Sequence, residues 1–191
     1  MPKIDAPTVV EHHENRRAAL IAAATQLLAD GGIDAVTPGA VGAAAGLARS
    51  SVYQYFDSTP ALLASVVEDV MPRELDRMRA ALATVGTPSE RLDTYIRYLL
   101  ESGTDTTHRS MSALRGGALP EECQARIREL HQEQYAPLRQ ALTDLGVVNP
   151  ILTSSLVLGI VEAGTQAVLH GTDRDAVVER TISFVHNGIK N

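Results

Sequence analysis

A single cysteine, Cys123, is all that this 191-residue chain contains, so no internal disulfide braces it. A reducing compartment is the expectation. Tryptophan is absent and aromatic residues make up 4%, which leaves Ala, Leu and Val to fill the interior; side chains of that size suit closely packed helices. Strand signals are missing as well: no run alternates Val, Ile and Thr between hairpin turns. No window holds about 18 uninterrupted apolar residues, and no basic-then-apolar leader pattern opens the sequence. A cytoplasmic protein with no membrane partner is therefore expected. Positive charge is in short supply too. Lys and Arg number 17 against 23 Asp and Glu, a net charge of −6, which argues against bulk affinity for nucleic acid.

What the chain does have is apolar residues at helical spacing. They make up 45% of the sequence, enough for a real core. Residues 1–8 read as a loose arm, with a capping box available to Thr8 and Glu11. Leu20, Ala24, Leu27 and Leu28 follow as one buried stripe, and Gly31-Gly32 ends that helix. Thr37-Pro38 starts a short second helix with Val41, Ala44 and Ala45 inward. Gly46 fits a sharp turn between crossing helices. The next helix is expected over about 49–56. With Val52 and Phe56 inward, a rotation of about 100° per residue sends Ser50 and Gln54 outward and puts Ser51 and Tyr53 on the flanks.

Ser58 or Thr59 should cap a fourth helix to about Val85, kinked or broken near Val70–Met71 by Pro72. Thr87-Pro88-x-Glu90 opens a fifth, to about Glu101. A sixth over about 105–115 would end at Gly116-Gly117. A seventh would run from Pro120 to about Leu145, bent at Pro137. Asn149-Pro150 opens an eighth that closes near Gly171, and Asp173 caps a ninth. The fold class is all-α, with about nine helices.

The ordered elements Thr37, Val41, Ala44-Ala45-Gly46, Val52-Tyr53, Tyr55-Phe56 and Ala61-Leu62-Leu63, after an Ala- and Leu-rich first helix, resemble the tetracycline-repressor (TetR) family of bacterial regulators. The resemblance implies an N-terminal helix-turn-helix DNA-binding domain, residues 1–58, and a larger helical effector-binding and dimerisation domain, residues 59–191. It implies a homodimer whose partners are a double-stranded DNA operator and an unidentified small-molecule effector. Carried over by position, Arg49, Ser50, Ser51 and Gln54 would read base edges, Arg49 pairing with guanine and Gln54 with adenine. Thr37, Tyr53 and Tyr55 would contact phosphate. Arg16 and Arg17 would either meet phosphate or form a solvated charge pair.

Three positions depart from the family pattern. Ala48 stands where Ser or Thr is common and lacks their cap. Thr59 replaces a lysine that commonly touches phosphate. Gly39 replaces a residue that is often polar. Residues 1–58 carry four basic and six acidic side chains, net −2, so a second reading stands beside the repressor: a helical interaction protein with weakened or lost DNA binding.

The eighth helix is apolar on every side, from Ile151, Leu152, Leu156, Val157, Leu158, Ile160, Val161, Val168 and Leu169, and so needs cover beyond one face. Gly159, Ala163 and Gly164 would let a second helix come close. Leu156, Ile160, Ala163, Gly164, Ile182 and Val185 are the candidate dimer interface. Tyr95, Tyr98, Met111, His131 and Tyr135 are the candidates to line an effector cavity.

No catalytic site, metal or cofactor is expected. Gly39, Gly42 and Gly46 do not match a phosphate loop. Cys123 and His131 lie about 80° apart around one helix, too far round for a nucleophile and its base. His12 and His13 diverge and have no third ligand beside them. Glu121-Glu122 suits a helix dipole and needs no chemistry.

Overall fold

The computed structural model describes residues 9–114 and 121–189. Among them are nine α-helices and no strand. These are α1 (Val9–Gly31), α2 (Pro38–Ala44), α3 (Arg49–Val52), α4 (Thr59–Leu82), α5 (Pro88–Ser102), α6 (Thr106–Leu114), α7 (Glu121–Asp144), α8 (Pro150–Leu169) and α9 (Arg174–Ile189). A 3-10 turn, Ile33–Ala35, joins α1 to α2; no sequence signal marked it. The chain divides into two compact units. One holds the described residues up to 69 together with 109–114, the other 70–108 and 121–189.

The N-terminal unit is built on the expected stripe. Leu20, Ala24 and Leu28 are fully buried, while Leu27 is half-buried and Ile21 takes part instead. Val41, Val52, Phe56, Leu62, Leu63 and Val66 complete the core. Arg109, from the α6 part of this unit, donates to the Ala29 carbonyl and to the Asp30 carboxylate at the end of α1, where a helix has carbonyls without partners. A hydrogen bond from Gln26, and then the Arg109 guanidinium, hold the Asp30 carboxyl below its usual range.

The second unit is arranged around α5, which packs against α7, α8 and α9. Leu92, Tyr95, Ile96 and Leu100 of α5 are fully buried. The helix starts at the capping box read from Thr87-Pro88-x-Glu90: Glu90 N–H donates to Thr87 Oγ1 at 3.2 Å, and Thr87 N–H to Glu90 Oε2 at 2.9 Å. Polar pairs join its flanks to α7 and α9: Arg91–Asp144 at 2.5 Å, Arg97–Glu179 at 2.9 Å and Asp93–His186 at 2.5 Å. Thr165 leaves no room beside Gly103, where an added Cβ would lie 2.7 Å from its hydroxyl.

Ser58 caps α4 by accepting from Ala61 N–H, and Asn149 caps α8 by accepting from Leu152 N–H. Asp173 accepts from Ala176 N–H to start α9. Three expectations are corrected. Of the kink or break expected near Val70–Met71, the break does not occur: α4 continues through Pro72, which removes one i→i−4 bond, and the buried Val70, Met71, Leu75 and Met78 on either side keep the helix packed. α3 is shorter than residues 49–56, because Tyr53–Tyr55 form turns with i→i+3 bonds. Ala44 is exposed; Val41 and Gly42 form the buried side of α2. The Thr8–Glu11 box, the Gly116-Gly117 stop and the Pro120 start lie outside the described residues, as do the side chains of Glu121, Glu122 and Cys123.

Candidate nucleic-acid interface

Residues 37–56 assemble around one close approach. Gly46, at φ 69°, takes the left-handed conformation that glycine adopts without strain, and the chain reverses there between α2 and α3. Gly42 is the contact point: a Cβ at this position would lie 2.9 Å from the Leu47 carbonyl oxygen and 3.3 Å from Val52 Cγ2. Sequence reading passed over Gly42, because a small residue in a short Ala-rich helix carries no signal of what it touches. Thr37 caps α2, accepting from Ala40 N–H at 3.2 Å. Ala48 stands at the cap of α3 with no side-chain bond.

Val52 and Phe56 anchor the far side of this segment, at 2% and 5% exposure. With those two inward, Arg49, Ser50 and Gln54 face solvent, and Tyr53 is 46% exposed. Ser51 and Tyr55 are half-buried. Arg17 is exposed yet has partners. It donates to Ser65 Oγ at 3.1 Å, and its guanidinium lies 5.3 Å from the Phe56 ring centroid, so it fastens α1 to the segment after α3 and to α4. Arg16 and Arg49 are exposed. His13, on α1, packs its ring at a tilt against Tyr55 with ring centroids 4.5 Å apart.

The exposed set consists of two hydroxyls, an amide and a guanidinium on one rigid projection. Groups of these kinds can donate to and accept from base edges, and hydroxyls can bond phosphate. Among the described residues no His, Cys, Asp or Glu cluster has the geometry of a metal site.

The other candidate residues fall in different places. Tyr95 is fully buried and its hydroxyl donates to the Gln134 carbonyl at 3.1 Å; burial drives its acidity far down. Tyr98 donates to the Glu74 carbonyl at 3.1 Å and to its carboxylate at 2.9 Å, and burial followed by that carboxylate raises its pKa. His131 and Tyr135 stack with centroids 5.6 Å apart. Tyr95, His131 and Tyr135 thus gather along α7, and Tyr98 turns to α4. Met111 belongs to the N-terminal unit.

α8 buries Ser154, Val157, Val161 and Thr165 and leaves Ile151, Leu152 and Leu156 exposed, at 72%, 55% and 59%. Between α8 and α9 runs a groove of about 730 Å³ lined by Leu156, Gly159, Ile160, Ala163, Arg180 and Phe184. Gly164 also lines it, while its missing Cβ makes room for Leu100 at 2.9 Å and Val177 at 3.1 Å within its own unit. Ile182 is half-buried and Val185 is buried in its own unit.

Residues 20–66 match the model of the bacterial regulatory proteins, tetR family. The HTH-type transcriptional regulator BetI of Rhizobium meliloti (strain 1021) is 32% identical over 97 residues, 51% of this chain and 45% of that protein. The chain thus spans under half the length of this curated relative. Solved structures share the fold over most of their length. The transcriptional regulator FadR from Bacillus subtilis, in complex with stearoyl-CoA, superposes with a TM-score of 0.73 at 20% identity, over 88% of this chain and 96% of that one. AibR, in complex with isovaleryl coenzyme A and operator DNA, superposes with a TM-score of 0.71 at 16% identity, over 88% and 97%. The matched residues 20–66 contain the buried stripe of α1, the helix-turn-helix and the start of α4, and over this stretch the chain is similar to the tetR family of bacterial regulatory proteins.

Proposed function

We propose that this protein is a DNA-binding transcriptional regulator, a repressor that a small-molecule effector releases from its operator. The observation that carries the reading is the exposed row Arg49, Ser50, Tyr53 and Gln54 on a segment that Val52 and Phe56 hold from behind. Arg49, Ser50, Ser51 and Gln54 read bases in the major groove; Thr37, Tyr53 and Tyr55 bind phosphate. The protein works as a cytoplasmic homodimer. The exposed apolar side of α8 and the groove along α9 support this, because a patch of that kind marks a surface that another protein covers. α8 has the length and apolarity to cross a membrane, with a mean hydropathy of 1.4. Its buried stripe of Ser154, Val157, Val161 and Thr165 favours a helix with one side in its own unit and the other against a partner. Two such subunits present recognition segments to half-sites about 34 Å apart.

The effector site belongs to the second unit, with Tyr95, Tyr98, His131 and Tyr135 as its polar handles. Since FadR and AibR were solved with acyl-coenzyme A esters, that class is the first to test. α4 and α6 each contribute residues to both units. An effector that binds one arrangement of these helices better than another shifts the population toward it. Footprinting on the DNA flanking its own coding region, with and without acyl-coenzyme A, tests the proposal. A protected inverted repeat that the ester abolishes supports it, and absence of protection at every salt concentration defeats it.

A second reading, a helical interaction protein with lapsed DNA binding, is favoured by the net charge of −2 over residues 1–58 and by the missing side-chain cap at Ala48. Titration with duplex DNA at two salt concentrations separates the readings. A regulator retains a sequence-specific component as salt rises, and a lapsed one shows only weak binding that vanishes.

A further inference from the structure

His13 stands on the exposed side of α1 and reaches the ring of Tyr55, which follows Gln54 directly in the chain; the ring planes meet at 34°. The core beneath is already filled by Leu20, Val52 and Phe56, so packing does not require this contact. An aromatic pair at such a distance holds both rings in a fixed relation and leaves their polar edges to the solvent. A phenol hydroxyl and an imidazole N–H both donate to phosphate oxygen, and the imidazole becomes a cation when protonated. Cations at this surface are few: Arg16 and Arg49 are exposed, and Arg17 is bound to Ser65 and lies over the Phe56 ring.

We propose that His13 and Tyr55 form one phosphate-binding pair at the edge of the DNA surface, so that protonation of His13 adds a positive charge against the duplex. This rests on the reading of the chain as a DNA-binding regulator. The charged groups within reach are these. On α1, Arg16 and Arg17 follow His13 by three and four residues and share its side, while Glu11, His12 and Glu14 diverge from it around the helix. Tyr55 faces it from the segment after α3, and Asp57 lies two residues beyond. On α4, Ser65 holds Arg17, and Glu68 and Asp69 come one turn later.

The test uses the full chain and a duplex of random sequence, with binding read by fluorescence anisotropy across a salt series at about pH 5.5 and about pH 7.5. The logarithmic salt slope should be steeper at the lower pH by about 0.9 per bound subunit, the value of one added phosphate contact. His13→Gln should remove that increment and leave the melting temperature unchanged, and His12→Gln should keep it. Tyr55→Phe, which preserves the ring contact, should weaken binding severalfold at both pH values. Persistence of the increment in His13→Gln, its loss in His12→Gln, or undiminished binding by Tyr55→Phe overturns the pair while the regulator reading stands. Absence of DNA binding at either pH overturns both.

Discussion

Gly42 shows how much one hydrogen atom decides in this molecule. The Cβ of an alanine there would press on the Leu47 backbone carbonyl, which cannot rotate away as a side chain does, and on Val52. Gly42→Ala should cost about 1–3 kcal/mol, the range for overpacking, and lower the melting temperature seen by circular dichroism. Gly39→Ala, two turns of reasoning simpler because its Cβ meets nothing within 4 Å, should be tolerated and serves as the control. On the opposite side of the same segment, Gln54→Ala should relax discrimination at one base position. The loss expected for a bidentate contact is about 1–3 kcal/mol, readable in competition between operator variants, with unspecific binding little changed.

The elements divide into those that announce themselves locally and those that do not. α5 is of the first kind. Thr87, Pro88 and Glu90 lie within four consecutive positions, and their hydrogen bonds form within one turn. Hydrogen bonds from the Thr87 backbone and then its side chain hold the Glu90 carboxyl below its ordinary value of 4.5. A carboxyl lowered on folding contributes stability that is present above the unfolded value and fades as pH falls through the folded one. The cap should therefore weaken below about pH 4.5, and Glu90→Gln should flatten this part of the acid limb in a thermal-stability profile against pH. Thr87→Ala should cost about 1 kcal/mol at neutral pH. α3 is of the second kind. Its cap carries no side-chain bond and its helical bonds give way to turns after Val52, so it depends on Val52 and Phe56 being buried rather than on propensity. The same holds where α4 passes Pro72. Local chemistry predicts a kink or a break, and the packed residues on both sides keep the helix continuous.

At the scale of the whole molecule, the exposed apolar side of α8 is the feature that a lone subunit leaves unexplained. A homodimer that buries it should fall apart when a carboxylate is placed at its centre. Leu156→Glu is exposed in the subunit, at 59%, so it leaves the fold intact. It should shift the mass in light scattering from two chains to one and lose cooperative binding to paired half-sites. Unchanged mass would remove this face from the assembly. Leu20→Ala, by contrast, empties the fully buried N-terminal core. It should cost about 2–5 kcal/mol and unfold that unit in chemical denaturation whatever the oligomeric state.

Residues near one another in sequence determined the all-helical class, the stripe of α1, the caps at Thr37, Ser58, Thr87, Asn149 and Asp173, the Gly46 turn, and the outward aim of Ser50 and Gln54. Helical periodicity and capping act over a few residues, and the information is complete within that span. Only tertiary structure decided that Gly42 is a contact point, that Arg17 binds Ser65 and lies over Phe56, and that His13 reaches Tyr55. It also decided that α8 buries one side and bares the other. Each of these depends on which surfaces meet in the folded chain, and the periodicity of a single helix holds no record of its neighbours.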